Sequence, residues 1–277
     1  MPFQIKKRII SLLLVVMQFI AAVPLACAEE TRPRVVDAEE IQMIFDRYVA
    51  ENGLDADLIS VGYVYTPTGE TWYHNEDKWY YSASLYKVPL MMLYAEREYL
   101  GELSADSEIY GMTLESIEEE VLTNSNNSLA YSMLLHVAEP SECRRMFQKY
   151  SSLPEEYYTW NFYSFSDFTA RFMTDVMTTL YQNEERFPRL IEYLKNAQPG
   201  HYFHLSLGEE DCTIAQKYGS YHDTDDNDWN HTSGIIYTPN PFILTVMTRY
   251  GGISENIIGD LASLFRYYTL YADSKMK

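Results

Sequence analysis

Residues 81–90 read Tyr-Ser-Ala-Ser-Leu-Tyr-Lys-Val-Pro-Leu, and they are followed by an apolar run that predicts a helix over Leu85–Tyr99. Ser84 and Lys87 stand three residues apart, so a helical turn puts them on one face. A serine hydroxyl is a weak nucleophile until a base takes its proton. A lysine amine can act as that base once burial or its neighbours lower its pKa. At the start of a helix, Ser84 also gains a dipole that favours developing negative charge. The pair alone proves little, because Ser and Lys meet at this spacing by chance, so its meaning depends on the rest of the chain.

Working outward, the N-terminal side carries a helix and a hairpin. Ala38, Ile41, Ile44, Phe45 and Val49 recur at helical spacing over residues 38–50. Leu58–Tyr65 alternates, with Ile59, Val61, Tyr63 and Tyr65 on one face. Thr66-Pro67-Thr68-Gly69 is a turn, and Thr71–His74 is the return strand. On the C-terminal side a block of helices is expected at Leu114–Leu122, Ser128–His136, Ser141–Tyr150, Ser166–Tyr181 and Phe187–Asn196, with Ser166-Asp167 as the cap of the fourth. Three strands follow, Thr213–Lys217, Gly234–Thr238 and Phe242–Thr248. A final helix over 254–272 puts Ile257, Ile258, Leu261, Leu264 and Phe265 on one stripe. Strands segregated from helices predict an α+β fold. It would have a five-stranded antiparallel sheet flanked by helices and an all-helical lobe, with a cleft between.

The composition agrees with a globular chain. Of 277 residues, 47% are hydrophobic and 22% charged, enough to bury a large core and too apolar for a disordered or collagen-like chain. The formal net charge is -19, which argues against a nucleic-acid partner. Met1–Ala28 reads as a secretory signal peptide: basic Lys6, Lys7 and Arg8, an apolar run from Ile9 to Leu25, and Ala26-Cys27-Ala28 as the cleavage site after Ala28. The mature chain, 29–277, is expected to be a secreted, extracytoplasmic single domain. Its α/β lobe would be about 29–83 and 205–277, its helical lobe about 84–204. Membrane contact would come only through an uncleaved leader or lipidation at Cys27. Cys143 and Cys212 remain, either bridged or as two buried thiols.

Two further elements give the Ser84–Lys87 pair its context. Ser125-Asn126-Asn127 is an S-x-N element opening a helix, and Lys217-Tyr218-Gly219 is a K-x-G element in a β run. The ordered set resembles the class A β-lactamases and related penicillin-recognising serine hydrolases. The resemblance continues through Leu122–Asn127, Ala215–Ser220 and Gly234–Pro239, and spans nearly the whole mature chain in element order. It implies that Ser84 is acylated, that Lys87 helps activate it, and that Ser125 passes a proton to the leaving nitrogen. Asn127 would orient Lys87 and the substrate amide. Lys217 would bias Ser125 and attract a substrate carboxylate. Gly219 would let substrate approach the strand, with Tyr218 and Ser220 beside it, and the backbone N–H groups of Ser84 and Ser220 would form the oxyanion hole. No cofactor and no metal are implied. The partner would be a small β-lactam or a cell-wall peptide. D,D-peptidase-like hydrolysis, or cell-wall binding without catalysis on the same scaffold, are the alternatives.

Three positions depart from the family pattern. Asn126 stands where Asp is usual. Tyr218 replaces the Thr or Ser whose hydroxyl helps hold a substrate carboxylate. Class A enzymes carry a loop Glu four residues before an Asn, which activates the deacylating water. Here Tyr157 stands four residues before Asn161, and the nearby Glu156 is the substitute candidate. The acylation parts are present and fast deacylation is in question. Two weaker signals remain. Asp223–Asp228 has the start of a calcium loop but lacks its Gly and terminal Glu. His201 and His204 have no third metal ligand in view, so surface histidines are expected.

Overall fold

A computed structural model describes residues 36–208, 212–222 and 228–275. The leader over 1–28 and the acidic run 223–227 lie outside the described residues. Helix α1 (Ala38–Asn52) starts where Asp37 accepts from the N–H groups of Glu39 and Glu40, and ends at Gly53, whose φ of 63° few other residues adopt without cost. Hairpin strands β1 (Ile59–Tyr65) and β2 (Glu70–His74) follow, then the short β3 (Tyr80–Tyr81) and α2 (Lys87–Tyr99). The helical block holds β4 (Glu108–Ile109), β5 (Met112–Thr113), α3 (Leu114–Leu122), α4 (Asn127–Val137), α5 (Pro140–Phe147), α6 (Trp160–Phe165), β6 (Asp167–Phe168), α7 (Ala170–Gln182), α8 (Leu190–Lys195) and α9 (Phe203–Ser206). Strands β7 (Thr213–His222), β8 (Asp228–Tyr237) and β9 (Phe242–Thr248) and helix α10 (Ser254–Lys275) close the chain.

The sheet is the expected one: five strands in the order β2-β1-β9-β8-β7, each antiparallel to its neighbour. Its two faces feed two cores. Ile59, Val61, Tyr63 and Tyr65 join Ile41, Ile44 and Phe45 of α1 and Ile257, Leu261 and Phe265 of α10 in one core. Val64, Ala215, Ile235, Ile243 and Met247 face the other, shared with α2, α3, α4 and α7. The alternation in β1 therefore sorted its residues correctly, although both faces are buried. Cys143 and Cys212 lie in different cores and form no disulfide with each other.

Several boundaries differ from the sequence reading, among them the start of β8 at Asp228 rather than Gly234 and the end of α5 at Phe147 rather than Tyr150. Ser166-Asp167 caps no helix. Ser166 terminates α6 in the left-handed conformation at φ 62°, Asp167 pairs in β6, and Thr169 caps α7 through its hydroxyl. Helix α8 begins at Leu190 rather than Phe187, because Phe187 precedes Pro188, whose ring disfavours helical geometry one residue earlier. Strand β7 runs five residues past Lys217, since Gly219 sits within the strand rather than ending it. Helix α2 begins at Lys87, with Ser84 in a tight 3-10 turn over Ala83–Tyr86.

Gly62 of β1 shows how closely α7 docks on the sheet. A Cβ there would lie 2.2 Å from Thr174 Oγ1. That hydroxyl donates to Thr245 Oγ1 at 2.9 Å, which shares a 2.7 Å hydrogen bond with Ser233 Oγ. This buried hydroxyl chain joins helix, β9 and β8. Gly62→Ala is expected to lower stability by about 1–3 kcal/mol through overpacking, read as a drop in thermal midpoint.

Candidate active site

Ser84 is placed by constraints on both sides of it. Ala83 is held at φ 46°, in the left-handed region, a conformation that costs a non-glycine residue on the order of 1 kcal/mol and persists only when its surroundings enforce it. Leu85 N–H donates to the Ser82 carbonyl, Ser82 N–H donates to the Ser166 carbonyl at 3.0 Å, and the two serine hydroxyls share a 3.0 Å bond. Strand β7 closes the turn from the other side. A Cβ on Gly219 would lie 2.7 Å from the Ser84 backbone nitrogen and 3.0 Å from Ala83 Cβ. Glycine at this position is therefore required by the Ser84 turn itself.

Lys87 is fully buried one turn below Ser84. Its Nζ lies 3.0 Å from Ser84 Oγ, 2.9 Å from Ser125 Oγ, 2.6 Å from the Ser125 carbonyl and 2.5 Å from Asn127 Oδ1. Two of these partners, the carbonyl and the amide oxygen, only accept. A neutral amine has two N–H groups for them and a lone pair left for a hydroxyl proton. Burial lowers the Lys87 pKa to about 8, which favours that neutral form. Ser125 is brought in by its own backbone at φ 55°, with Asn126 capping α4 through a 3.0 Å bond from Leu129 N–H.

Lys217 completes the group from β7. Its Nζ, also fully buried, donates to Ser125 Oγ at 2.9 Å and to the Tyr218 carbonyl at 3.0 Å. Burial first, and the Lys87 charge second, hold its pKa well below the ordinary lysine value. Ser84 Oγ, Lys87 Nζ, Ser125 Oγ and Lys217 Nζ thus form an unbroken chain of polar atoms with steps of 3.0, 2.9 and 2.9 Å.

The turn before α6 holds Tyr157 and Glu156. Tyr157 donates its hydroxyl to Asp77 at 2.9 Å and shares a 2.7 Å bond with Thr169. Burial raises its pKa, so it stays a neutral phenol. Glu156 is exposed in the same turn. Asn161 bonds the Asp167 carboxyl, whose pKa burial raises.

Fold, element order and this polar chain together settle the affiliation: a family model described as the Beta-lactamase enzyme family matches residues 38–269. The chain belongs to the β-lactamase enzyme family. Solved structures agree in fold. A β-lactamase from Chitinophaga pinensis shares 17% identity with a TM-score of 0.67, covering 79% of this chain and 97% of that one. The extended-spectrum β-lactamase TLA-3 shares 15% with a TM-score of 0.70, covering 87% and 100%. A reconstructed ancestral class A β-lactamase shares 15% with a TM-score of 0.65, covering 84% and 99%. No curated protein matches the chain.

Two side chains outside every motif reach this β-lactamase-family site. Tyr202 stacks on Tyr218 with ring centroids 5.0 Å apart and planes 20° from parallel. Gln198 Nε2 donates to the Tyr218 hydroxyl at 3.1 Å. In sequence only the Pro199-Gly200 turn signals this loop. His201 pairs with Glu255 at 2.7 Å. Gly219→Ala is expected to displace the Ser84 turn from β7. It should reduce labelling of Ser84 by a serine-directed fluorophosphonate at least as strongly as it lowers the thermal midpoint.

Proposed function

We propose that this protein is an exported serine hydrolase that forms an acyl-enzyme at Ser84. The observation that carries the reading is the chain from Ser84 through Lys87 and Ser125 to Lys217. Neutral Lys87 takes the Ser84 proton as Oγ attacks the carbonyl carbon of a strained amide. The oxygen of the tetrahedral intermediate gains negative charge opposite the N–H groups of Ser84 and Ser220, an interaction on the order of 3 kcal/mol in comparable sites. When the carbon–nitrogen bond breaks, Ser125 gives its proton to the departing nitrogen. It regains one from the lysines on either side. Asn127 fixes Lys87 through its 2.5 Å contact.

Hydrolysis of that ester then needs a base for water. The position four residues before Asn161 carries a neutral tyrosine committed to Asp77 and Thr169, and Glu156 is exposed. Deacylation is therefore slow. Export rests on the basic and apolar leader with its cleavage signal. Among the described residues no helix is long and apolar enough to cross a membrane.

Intact-protein mass spectrometry of residues 29–277 with benzylpenicillin tests both halves. The expected result is a persistent adduct of penicillin mass, absent in Ser84→Ala. Rapid loss of penicillin without an adduct would overturn slow deacylation, and neither adduct nor loss would overturn the β-lactam reading. The acylation rate should also follow the Lys87 pKa of about 8. Because the neutral amine is the base, the rate constant climbs about tenfold per unit as pH rises toward 8 and levels off above it. A stopped-flow profile from pH 5 to 10 checks the sign.

A further inference from the structure

We propose that Tyr202 and Tyr218 set the substrate class, so that the site takes acyl donors with an uncharged, ester- or amide-capped group beside Lys217 rather than a free carboxylate. The inference rests on acylation of Ser84 as proposed above. Three observations carry it.

The first is how Lys217 is covered. Its Nζ lies 3.9 Å from the centroid of the Tyr218 ring, and its hydrogen bonds go to Ser125 and the Tyr218 carbonyl. Where the family pattern would offer a small hydroxyl, this chain lays an aromatic face over the amine. The ring face covers that amine, and the face itself carries no hydrogen-bond donor for a carboxylate.

The second is that the ring is clamped. Tyr202 stacks on one face of it, and Gln198 bonds its hydroxyl. Tyr202 adopts φ 56° and ψ -117°, a strained backbone for a residue with a side chain. The loop is forced into that shape by Gln216, which is fully buried on β7 next to Lys217. Gln216 Oε1 accepts from Phe203 N–H at 3.1 Å, and Nε2 donates to the Ala197 carbonyl at 3.1 Å. Glu255 Oε1 accepts from Tyr202 N–H at 3.2 Å, and the Tyr202 phenol shares a hydrogen bond with Ser220. Strain sustained by this many contacts points to a wall built for the site.

The third is the cleft that opens past Ser220. It encloses about 520 Å³ and is lined by Tyr221, His222, Asp228, Asn230 and Glu255. Among the described residues no lysine or arginine lines it. Its two carboxylates are already partnered by histidines, Asp228 by His222 at 2.6 Å and Glu255 by His201 at 2.7 Å, so a substrate carboxylate placed there finds acidic groups and no lysine or arginine of its own among the described residues. The lowered pKa of Lys217 adds to the same bias.

Benzylpenicillin and its methyl ester differ only in the charge at issue. Acylation of Ser84 by each is followed by intact-mass kinetics in the mature protein, in Tyr218→Thr and in Tyr202→Ala, with thermal midpoints recorded for all three. In the unmodified protein the ester is expected to acylate about tenfold faster or more, the scale of one charge-assisted hydrogen bond. Tyr218→Thr should shift the ratio by a similar factor toward the free acid, and Tyr202→Ala should shift it part of the way. Equal rates, or a faster free acid, in the unmodified protein would overturn the proposal while leaving Ser84 acylation intact. An unchanged ratio in a folded Tyr218→Thr would also overturn it. No adduct from either compound would remove the acylation reading and this proposal together.

Discussion

The site is organised around one amine buried without a counter-charge. Lys87 receives a hydroxyl from its own turn, a carbonyl and a hydroxyl from Ser125, and an amide oxygen from Asn127. Among the described residues no carboxylate pairs with it. An ammonium in that position would lose its hydration and gain only neutral acceptors, which is the condition that lowers its pKa to about 8. A carboxylate partner would reverse the result by stabilising the charged form. The chain is strongly acidic overall, so keeping acids away from this amine is a specific feature of the packing. The helical block achieves it by presenting a backbone carbonyl and an asparagine.

Lys217 obeys the same logic with one addition. Two lysines share Ser125 Oγ at 2.9 Å each, so charging both would place like charges on either side of one oxygen. Each disfavours the protonated form of the other. Burial and mutual repulsion together make Ser125 an oxygen between two amines, able to pass a proton in either direction. The sheet enters here, because Lys217 reaches Ser125 only if β7 lies against the Ser84 turn, and Gly219 is what permits that approach.

Much of this was legible in sequence. The hydrophobic stripe of α10 and the alternation in β1 each named their core residues, because those patterns report burial directly. The three motifs named the polar chain because its chemistry needs those residue types. What periodicity could not show was the stretch from Ser151 to Phe168. There a helical reading of Ser166-Asp167 failed because Ser166 takes a left-handed conformation and Asp167 pairs with Tyr81 across a two-residue ladder. Such contacts connect residues 86 positions apart and leave no local pattern. Tyr202 was invisible for the same reason: its role depends on Gln216 folding a loop against β7, and no spacing rule encodes that.

Backbone strain makes the connection between fold and site explicit. Ala83, Ser125, Ser166 and Tyr202 all have positive φ, and each touches the site or supports a residue that does. Each costs on the order of 1–3 kcal/mol, so four of them together are comparable with the net stability of a whole domain. They survive because the contacts enforcing them are the same contacts that align the chemistry. Ser166 bonds Ser82 beneath the Ser84 turn, the Ser125 carbonyl accepts from Lys87, and the Tyr202 amide donates to Glu255. Relaxing any of these residues to an ordinary conformation would stabilise it locally and release a reacting group. The strained positions therefore mark where packing energy has been converted into geometry, at Tyr202 beside Tyr218 as at Ser125 beside Lys87.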